Sequence, residues 1–92
     1  MQKTFLVNFF GRVQGIGFRS LVVSEANKRA LLGWVKNSSR RDLVEACFFG
    51  EEKKVFELIE YLKTNPGMIR VDNAAVEEIT SSEAFIDFRV KY

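Results

Sequence analysis

The order of apolar patterns along the chain predicts an α/β (α+β) fold. The expected architecture is a ferredoxin-like βαββαβ, split-βαβ sandwich in which an antiparallel sheet carries two helices on one face. Strand-like alternation and helix-like spacing follow one another as βαβ and then βαβ, and glycine or proline stands at the breaks. With 92 residues, 47% of them apolar, the chain suits a single domain that spans residues 1–92.

The first half of the chain is predicted to form a strand, a helix and two further strands. Alternating side chains over residues 5–10 predict the first strand. A helix is predicted from Phe18 to about Leu32, where a glycine breaks it. Strands follow over residues 34–37 and 44–48, joined by a short polar connection.

The second half is predicted to form a helix and two strands. An amphipathic helix is predicted from four apolar residues at spacings i, i+3, i+4 and i+7, namely Val55, Leu58, Ile59 and Leu62. The Asn-Pro-Gly sequence at residues 65–67 ends this helix. A fourth strand is predicted within residues 71–80. Ile86, Phe88 and Val90 alternate with charged residues and predict a last strand with one apolar face.

Composition limits the partners of the chain. A net charge of +2 and a pI near 8.8 are too mild to predict binding to nucleic acid, although they favour a small anion. No apolar run approaches the roughly 20 residues that a membrane-spanning helix needs. The single cysteine, Cys47, cannot form an internal disulfide, which favours a reducing compartment. We therefore expect a soluble, cytoplasmic protein with no nucleic-acid and no membrane partner.

The residue types exclude several kinds of chemistry. The chain has no histidine, which excludes imidazole bases, phosphohistidine intermediates and histidine-ligated metals. No glycine-rich segment precedes the Lys-Ser or Lys-Thr pair of a nucleotide-binding P-loop, and the glycines do not fit the dinucleotide fingerprint. Cys47 lies in a strand pattern without the arginine of a cysteine-phosphatase loop. The sequence therefore predicts no cofactor and no metal site.

The most informative segment runs from Gly11 to Arg19. Its glycines at positions 11, 15 and 17 permit the positive φ values with which several backbone N–H groups converge on one small anion. The segment leads directly into the first predicted helix, whose positive end lies behind such an anion. Arg19 opposes the helix dipole unless an anion compensates, and its planar guanidinium can bind two oxygens at once. Phosphate is the expected ligand.

Two motifs resemble the paired signature of a known family. Gly-Arg-Val-Gln-Gly-Ile-Gly-Phe-Arg at residues 11–19 and Gly-Trp-Val-Lys-Asn at residues 33–37 are similar to the signature of the acylphosphatases, and the similarity extends over nearly the whole chain. The resemblance implies hydrolysis of the carboxyl–phosphate bond of small acyl phosphates. The implied partners are a small acyl phosphate and inorganic phosphate, bound by a monomer without a cofactor or metal.

The resemblance also assigns roles to individual residues. In the family, the matching arginine holds the phosphoryl group and the matching asparagine positions the attacking water, which makes Arg19 and Asn37 the expected catalytic residues. The expected phosphate-binding residues are Gln14, Gly15, Ile16, Gly17, Phe18 and Arg19. By residue type alone, Asn37 is a strand-ending turn former. The apolar side chains of Val13, Ile16 and Phe18 are expected to anchor the loop in the core.

Two positions depart from the family pattern. Residues 38–42 contain no glycine and are one residue longer than the turn that commonly follows the catalytic asparagine. Ala30 stands where a glycine often ends the first helix. The alanine predicts either a longer helix or local strain, if the backbone there is left-handed. Neither departure changes Arg19 or Asn37.

Two alternative functions share the predicted fold. Similar phosphate loops occur in acylphosphatase-like domains of hydrogenase-maturation proteins, so a carbamoyl-phosphate-handling module is one alternative. An RNA-binding or regulatory βαββαβ domain is the other, with Phe9, Phe10, Phe48 and Phe49 as stacking surfaces, although alternation places about half of these rings in the core. The glycine-aromatic motif expected on the third strand of such a domain is absent.

Overall fold

Five strands and two helices make up most of residues 2–92, the part of the chain that the computed structural model describes. The strands are β1 (Gln2–Arg12), β2 (Leu32–Asn37), β3 (Leu43–Glu51), β4 (Arg70–Ile79) and β5 (Phe88–Val90), and the helices are α1 (Phe18–Lys28) and α2 (Glu52–Leu62). The elements follow the predicted βαββαβ order, with the short β5 at the end. Met1, which the predicted domain includes, lies outside the described residues.

The strands form one sheet in the order β4-β1-β3-β2-β5. β1 pairs antiparallel with β3 and β4, and β2 pairs antiparallel with β3. β5 runs parallel to β2, with Gly33 opposite Phe88 and Val35 opposite Val90. The ferredoxin-like prediction is confirmed, but the sheet is mixed and not wholly antiparallel. The reason is that the chain reverses direction between β4 and β5 while it crosses from one sheet edge to the other.

Side chains from one face of the sheet and from both helices form the core, as predicted. Phe5, Val7 and Phe9 of β1 lie in this core and are at most 3% exposed. The four apolar residues predicted for α2 are buried as well. Phe9 packs edge to face on Phe18 at the start of α1, with ring centroids 5.3 Å apart. This contact fixes the first turn of α1 over the C-terminal half of β1.

Helix α1 ends at Lys28, earlier than the predicted end near Leu32. Ala30 has a φ of +56°, so of the two predicted outcomes the left-handed residue is the one observed. The N–H of Leu31 donates to the carbonyl of Ala26 at 3.0 Å, and the N–H of Ala30 donates to the carbonyl of Asn27 at 3.2 Å. This is a Schellman motif with alanine at the position that usually holds glycine.

The last strand is shorter than the alternation predicted. β5 contains only Phe88–Val90, and Ile86, which was expected on its apolar face, is 82% exposed. β2 begins at Leu32 and its pairing with β5 begins at Gly33 opposite Phe88, so no residue of β2 is left to pair with Ile86. The segment before β5 instead packs Phe85 on Phe49 of β3, with ring centroids 6.2 Å apart.

Candidate active site

Residues 13–17 connect the end of β1 to the start of α1 and contain the glycine-rich part of the first motif. Gly15 has a φ of +79° and Gly17 a φ of +81°, both in the left-handed region that favours glycine. A Cβ at either position would meet no atom within 4 Å, so backbone conformation and not lack of space requires these glycines. The apolar residues of the segment pack into or against the core as predicted: Val13, Ile16 and Phe18.

The backbone N–H groups at the N-terminal end of α1 have no hydrogen-bond partner among residues 2–92. No side chain caps the helix, and its first turn carries no acidic residue. The N–H groups of Gly15, Ile16 and Gly17 donate to no backbone carbonyl of the described residues. Because these donors lie at the positive end of the helix dipole, the loop is suited to a small anion such as phosphate.

Gly11, one of the three glycines expected to give the segment its positive φ values, serves the sheet and not the anion loop. It lies in β1 with a φ of +140°, at an irregularity in the pairing with β4. Its N–H donates to the carbonyl of Asp42 at 2.9 Å. A Cβ here would collide with the carbonyl oxygen of Arg70. The close approach of β4 therefore requires this glycine.

Arg19 lies in the first turn of α1 and is half-buried. Its guanidinium carbon is 5.6 Å from the ring centroid of Tyr92, which is a cation–π distance. Among the described residues it forms no ion pair. The charge therefore stands unneutralised at a helix end where a cation is unfavourable without an anion beside it.

Asn37 is the last residue of β2, and its side chain lies on the helix side of the sheet. It is two residues after Val35, which is buried in the core, and it pairs with Val44 of β3, which is also buried. The Asn37 Oδ1 atom is buried and accepts no hydrogen bond from any described residue. Since a buried amide oxygen is nearly always paired in folded proteins, this acceptor indicates a place for the hydrogen of a water or a ligand.

The fold brings the loop, Arg19 and Asn37 to one end of the sheet. β1 and β2 run in the same direction because both are antiparallel to β3. α1 connects the end of β1 to the start of β2, so its first turn lies beside the C-terminal ends of both strands. A direct contact joins the first motif to the residue that follows the second: the Gln14 Nε2 atom donates to the carbonyl of Ser38 at 3.0 Å.

Two of the predicted phosphate-binding residues have their side chains engaged elsewhere. The ring of Phe18 is 1% exposed and packs on Phe9. The side-chain amide of Gln14 donates to three backbone carbonyls within residues 38–43. These two residues can therefore contribute only backbone groups to an anion site. Sequence reasoning missed the Gln14 contacts because partners 24 to 29 residues away leave no local pattern.

Comparisons with known proteins show the family and the fold of the chain. The family model of the acylphosphatases matches residues 5–90. The chain belongs to the acylphosphatase family. An acylphosphatase of Geobacter sulfurreducens is 38% identical over 92 residues, which covers 100% of both chains. The crystal structure of acylphosphatase from Bacillus subtilis matches with a TM-score of 0.89 at 36% identity, again over 100% of both chains.

The acylphosphatase fold also matches part of a much larger protein. The crystal structure of full-length HypF in the phosphate- and nucleotide-bound form is 32% identical to this chain, with a TM-score of 0.84. The match covers 100% of this chain and 12% of HypF. Since the matches with full coverage on both sides are to acylphosphatases, the carbamoyl-phosphate alternative is not favoured. The RNA-binding alternative is not favoured either, because Phe9 and Phe48 are fully buried and cannot stack on bases.

Features outside this end of the acylphosphatase domain do not add to the site. Over residues 2–92 no group of three Cys, Asp or Glu side chains is placed to hold a metal ion. None of the helices there is long and apolar enough to cross a membrane.

Cys47 is buried on the helix-free face of the sheet, and burial raises the pKa of its thiol to about 11. The thiol is therefore neutral at ordinary pH, which makes it a poor nucleophile.

Proposed function

We propose that this protein hydrolyses the carboxyl–phosphate bond of small acyl phosphates, with the phosphoryl group held by residues 14–19 and the attacking water positioned by Asn37. An acyl phosphate and water give a carboxylate, inorganic phosphate and a proton. The reaction follows from membership of the acylphosphatase family. The residue roles are supported by the position of the loop, Arg19 and Asn37 at one end of the sheet.

The phosphoryl oxygens bind to the loop N–H groups and to the guanidinium of Arg19. The loop donors are already oriented by Gly15 and Gly17, and the Arg19 charge forms no ion pair among the described residues. Such preorganised donors stabilise charge that develops in the transition state without reorganising during the reaction. A carboxylate is a good leaving group, so water placement and charge stabilisation suffice without a strong protein base.

The buried Oδ1 atom of Asn37 carries the assignment of the water site. It is an acceptor without a partner among the described residues, at the end of the sheet where Gln14 of the loop donates to the residue after Asn37. A water that donates to this oxygen has its lone pair free to attack phosphorus. An asparagine does not titrate, so it orients the water without removing its proton. The proton is accepted by an oxygen of the substrate phosphate.

Replacement of Arg19 tests the phosphate clamp. Arg19→Ala is expected to lower kcat/KM for benzoyl phosphate at least about 100-fold, because hydrogen bonds to charged groups contribute about 1.5–3 kcal/mol each and two are lost. It should also weaken competitive inhibition by inorganic phosphate. Arg19→Lys should restore little, since lysine lacks the planar fork. Assays contain a chelator, and circular dichroism checks the fold. Activity like that of the wild type in Arg19→Ala would contradict the assignment.

Replacement of Asn37 tests the water site separately. Asn37→Ala is expected to lower kcat about 100-fold, the scale of misplacing one reactant. The affinity for inorganic phosphate should change by no more than about 1 kcal/mol, the scale of a single hydrogen bond. Asn37→Asp should fare no better, because a carboxylate loses the donor and repels phosphate.

Asn8 offers a matched control for Asn37. Its Oδ1 atom is also buried without a hydrogen-bond partner among the described residues, but Asn8 lies on the helix-free face of β1, between Val7 and Phe9. Asn8→Ala should leave kcat unchanged. An Asn37→Ala protein with raised KM and unchanged kcat would show that Asn37 binds substrate and does not position water.

We also propose that the protein acts as a cytoplasmic monomer on free small acyl phosphates, without metal, membrane or nucleic-acid partners. The single buried cysteine and the mild net charge of +2 support this setting. Sedimentation velocity should give a mass near 10.6 kDa, with no change on addition of an RNA oligonucleotide.

A further inference from the structure

The side chain of Gln14 makes three hydrogen bonds across the site. Its Nε2 atom donates to the carbonyl oxygens of Ser38 at 3.0 Å, Arg40 at 2.7 Å and Leu43 at 2.8 Å. We infer that Gln14 is a positioning residue: its amide holds the β2–β3 connection (residues 38–42) against the phosphate loop and thereby sets the position of Asn37. This inference rests on the proposed role of Asn37.

The three acceptors surround the point at which β2 ends. Ser38 directly follows Asn37, and its N–H donates to the carbonyl of Leu43 at 3.2 Å, which closes the connection. Gln14 donates to the carbonyls of both Ser38 and Leu43, the two residues that this hydrogen bond joins. A shift of the Gln14 side chain therefore moves the backbone to which Asn37 is joined. Val13 and Phe18, on either side of the loop glycines, are held in the core.

The β2–β3 connection is an exposed turn, and its other contacts lie within the turn or reach the end of β1. Residues 39–42 are exposed, and none of residues 38–42 is a glycine. Within the connection, the N–H of Arg40 donates to the Oγ of Ser38 at 3.1 Å, and Arg40 pairs with Asp42 at 2.8 Å. These two contacts are internal to the turn.

Two other contacts of the connection reach the end of β1: the N–H of Gly11 donates to the carbonyl of Asp42 at 2.9 Å, and the guanidinium carbon of Arg40 lies 5.8 Å from the ring centroid of Phe10. The Gln14 amide adds the hydrogen bonds that join the turn to the phosphate loop itself.

The same geometry argues against a direct role of the Gln14 side chain in binding phosphate. A side-chain amide has two hydrogens, and here both are shared among three carbonyl acceptors. A phosphate oxygen would have to displace one of them. The side chain therefore acts on the water and not on the phosphate, through the backbone of the β2–β3 connection.

The test is a double-mutant cycle between Gln14 and Asn37, measured with benzoyl phosphate. Gln14→Met keeps the length of the side chain and removes its donors. We expect Gln14→Met to lower kcat about 10- to 100-fold, since a displacement of about 1 Å costs up to about 100-fold. The inhibition constant of inorganic phosphate should change less than about 3-fold. In the Asn37→Ala background, Gln14→Met should lower kcat less than about 3-fold, because the group that it positions is already gone.

Arg29→Met serves as a control for lost stability alone. Arg29 pairs with Glu25 at 2.7 Å and with Glu57 of α2 at 3.1 Å, at the other end of α1 from the loop. Its replacement should lower the urea midpoint without lowering kcat at temperatures where the protein is folded. If Arg29→Met and Gln14→Met reduced kcat equally at equal loss of stability, the inference would be overturned.

The outcomes separate this inference from the proposed function. If Asn37→Ala lowers kcat strongly while Gln14→Met leaves it unchanged, only the positioning role of Gln14 is overturned. The same holds if the two reductions of kcat multiply in the double variant. A Gln14→Met protein with a strongly raised phosphate inhibition constant and unchanged kcat would make Gln14 a phosphate ligand, which also overturns the inference. If Asn37→Ala itself leaves kcat unchanged, the water site falls and the positioning role falls with it.

Discussion

Ala30→Gly should stabilise the protein, because Ala30 occupies a position that favours glycine. Its φ of +56° costs an L-residue about 1–2 kcal/mol relative to glycine. Glycine has more conformational freedom than alanine in the unfolded chain, which offsets about 0.4–1 kcal/mol of the strain energy that the substitution removes. Ala30 is exposed and its N–H keeps the bond to Asn27, so little else changes. The expected net gain is about 1 kcal/mol, or about 4–8 °C in Tm for a domain of this size.

Equilibrium unfolding in urea, followed by circular dichroism, measures this gain as a higher midpoint at an unchanged slope. Asn65 provides a contrast, because its φ of +58° is similar but its Oδ1 accepts a hydrogen bond from the N–H of Val71 at 2.8 Å. Asn65→Gly loses that bond, about 1 kcal/mol, and should not stabilise the protein. A midpoint for Ala30→Gly equal to or below that of the wild type would refute the strain argument.

Two further predictions concern the loop and the buried thiol. Gly15→Val should weaken both inhibition by phosphate and turnover, because it distorts the loop. Gly67 has a similar φ of +65° and also has no atom within 4 Å of a Cβ, so Gly67→Val should lower stability alone. Equal losses of activity in the two variants would contradict the loop assignment. Stability should fall as the pH rises from about 9 to about 11, because the Cys47 thiol ionises near 9.0 when unfolded and at about 11 when folded. Cys47→Ala should remove that part of the pH dependence of the urea midpoint. If the midpoint of Cys47→Ala depended on pH as that of the wild type does, the role of the thiol would be refuted.

Most of the fold could be predicted because one buried face imposes a local pattern. In α2, Val55, Leu58, Ile59 and Leu62 all face the core, so their spacing reports the helix directly. The end of α1 could not be read in this way, since an alanine at position 30 carries no turn signal of its own. The parallel pairing of β5 and the exposure of Ile86 depend on where β2 starts, which no pattern near Ile86 records.

The candidate site could be predicted in its residue types but not in its contacts. Arg19 and Asn37 stand in motifs that the sequence displays, and their roles remain predictions. Gly11 was grouped with the glycines of the anion loop because it begins the same segment, yet its N–H donates to the carbonyl of Asp42 and its backbone adjoins Arg70. Gln14 stays a predicted phosphate-binding residue through its backbone, but the three partners of its side-chain amide could not be predicted. In both cases the partner comes from another part of the sheet, and only the fold brings it close.

Hydrolysis of benzoyl phosphate in water enriched in oxygen-18 shows which substrate atom the bound water attacks. An acyl phosphate can be attacked by water at phosphorus or at the carbonyl carbon, and the label marks which atom received it. If the loop and Arg19 hold the phosphoryl group beside the water bound to Asn37, mass spectrometry should find the label in inorganic phosphate and none in benzoate. Label in benzoate from an enzyme-catalysed turnover, under conditions where phosphate and water do not exchange oxygen, would show attack at the carbonyl carbon and overturn the proposed site.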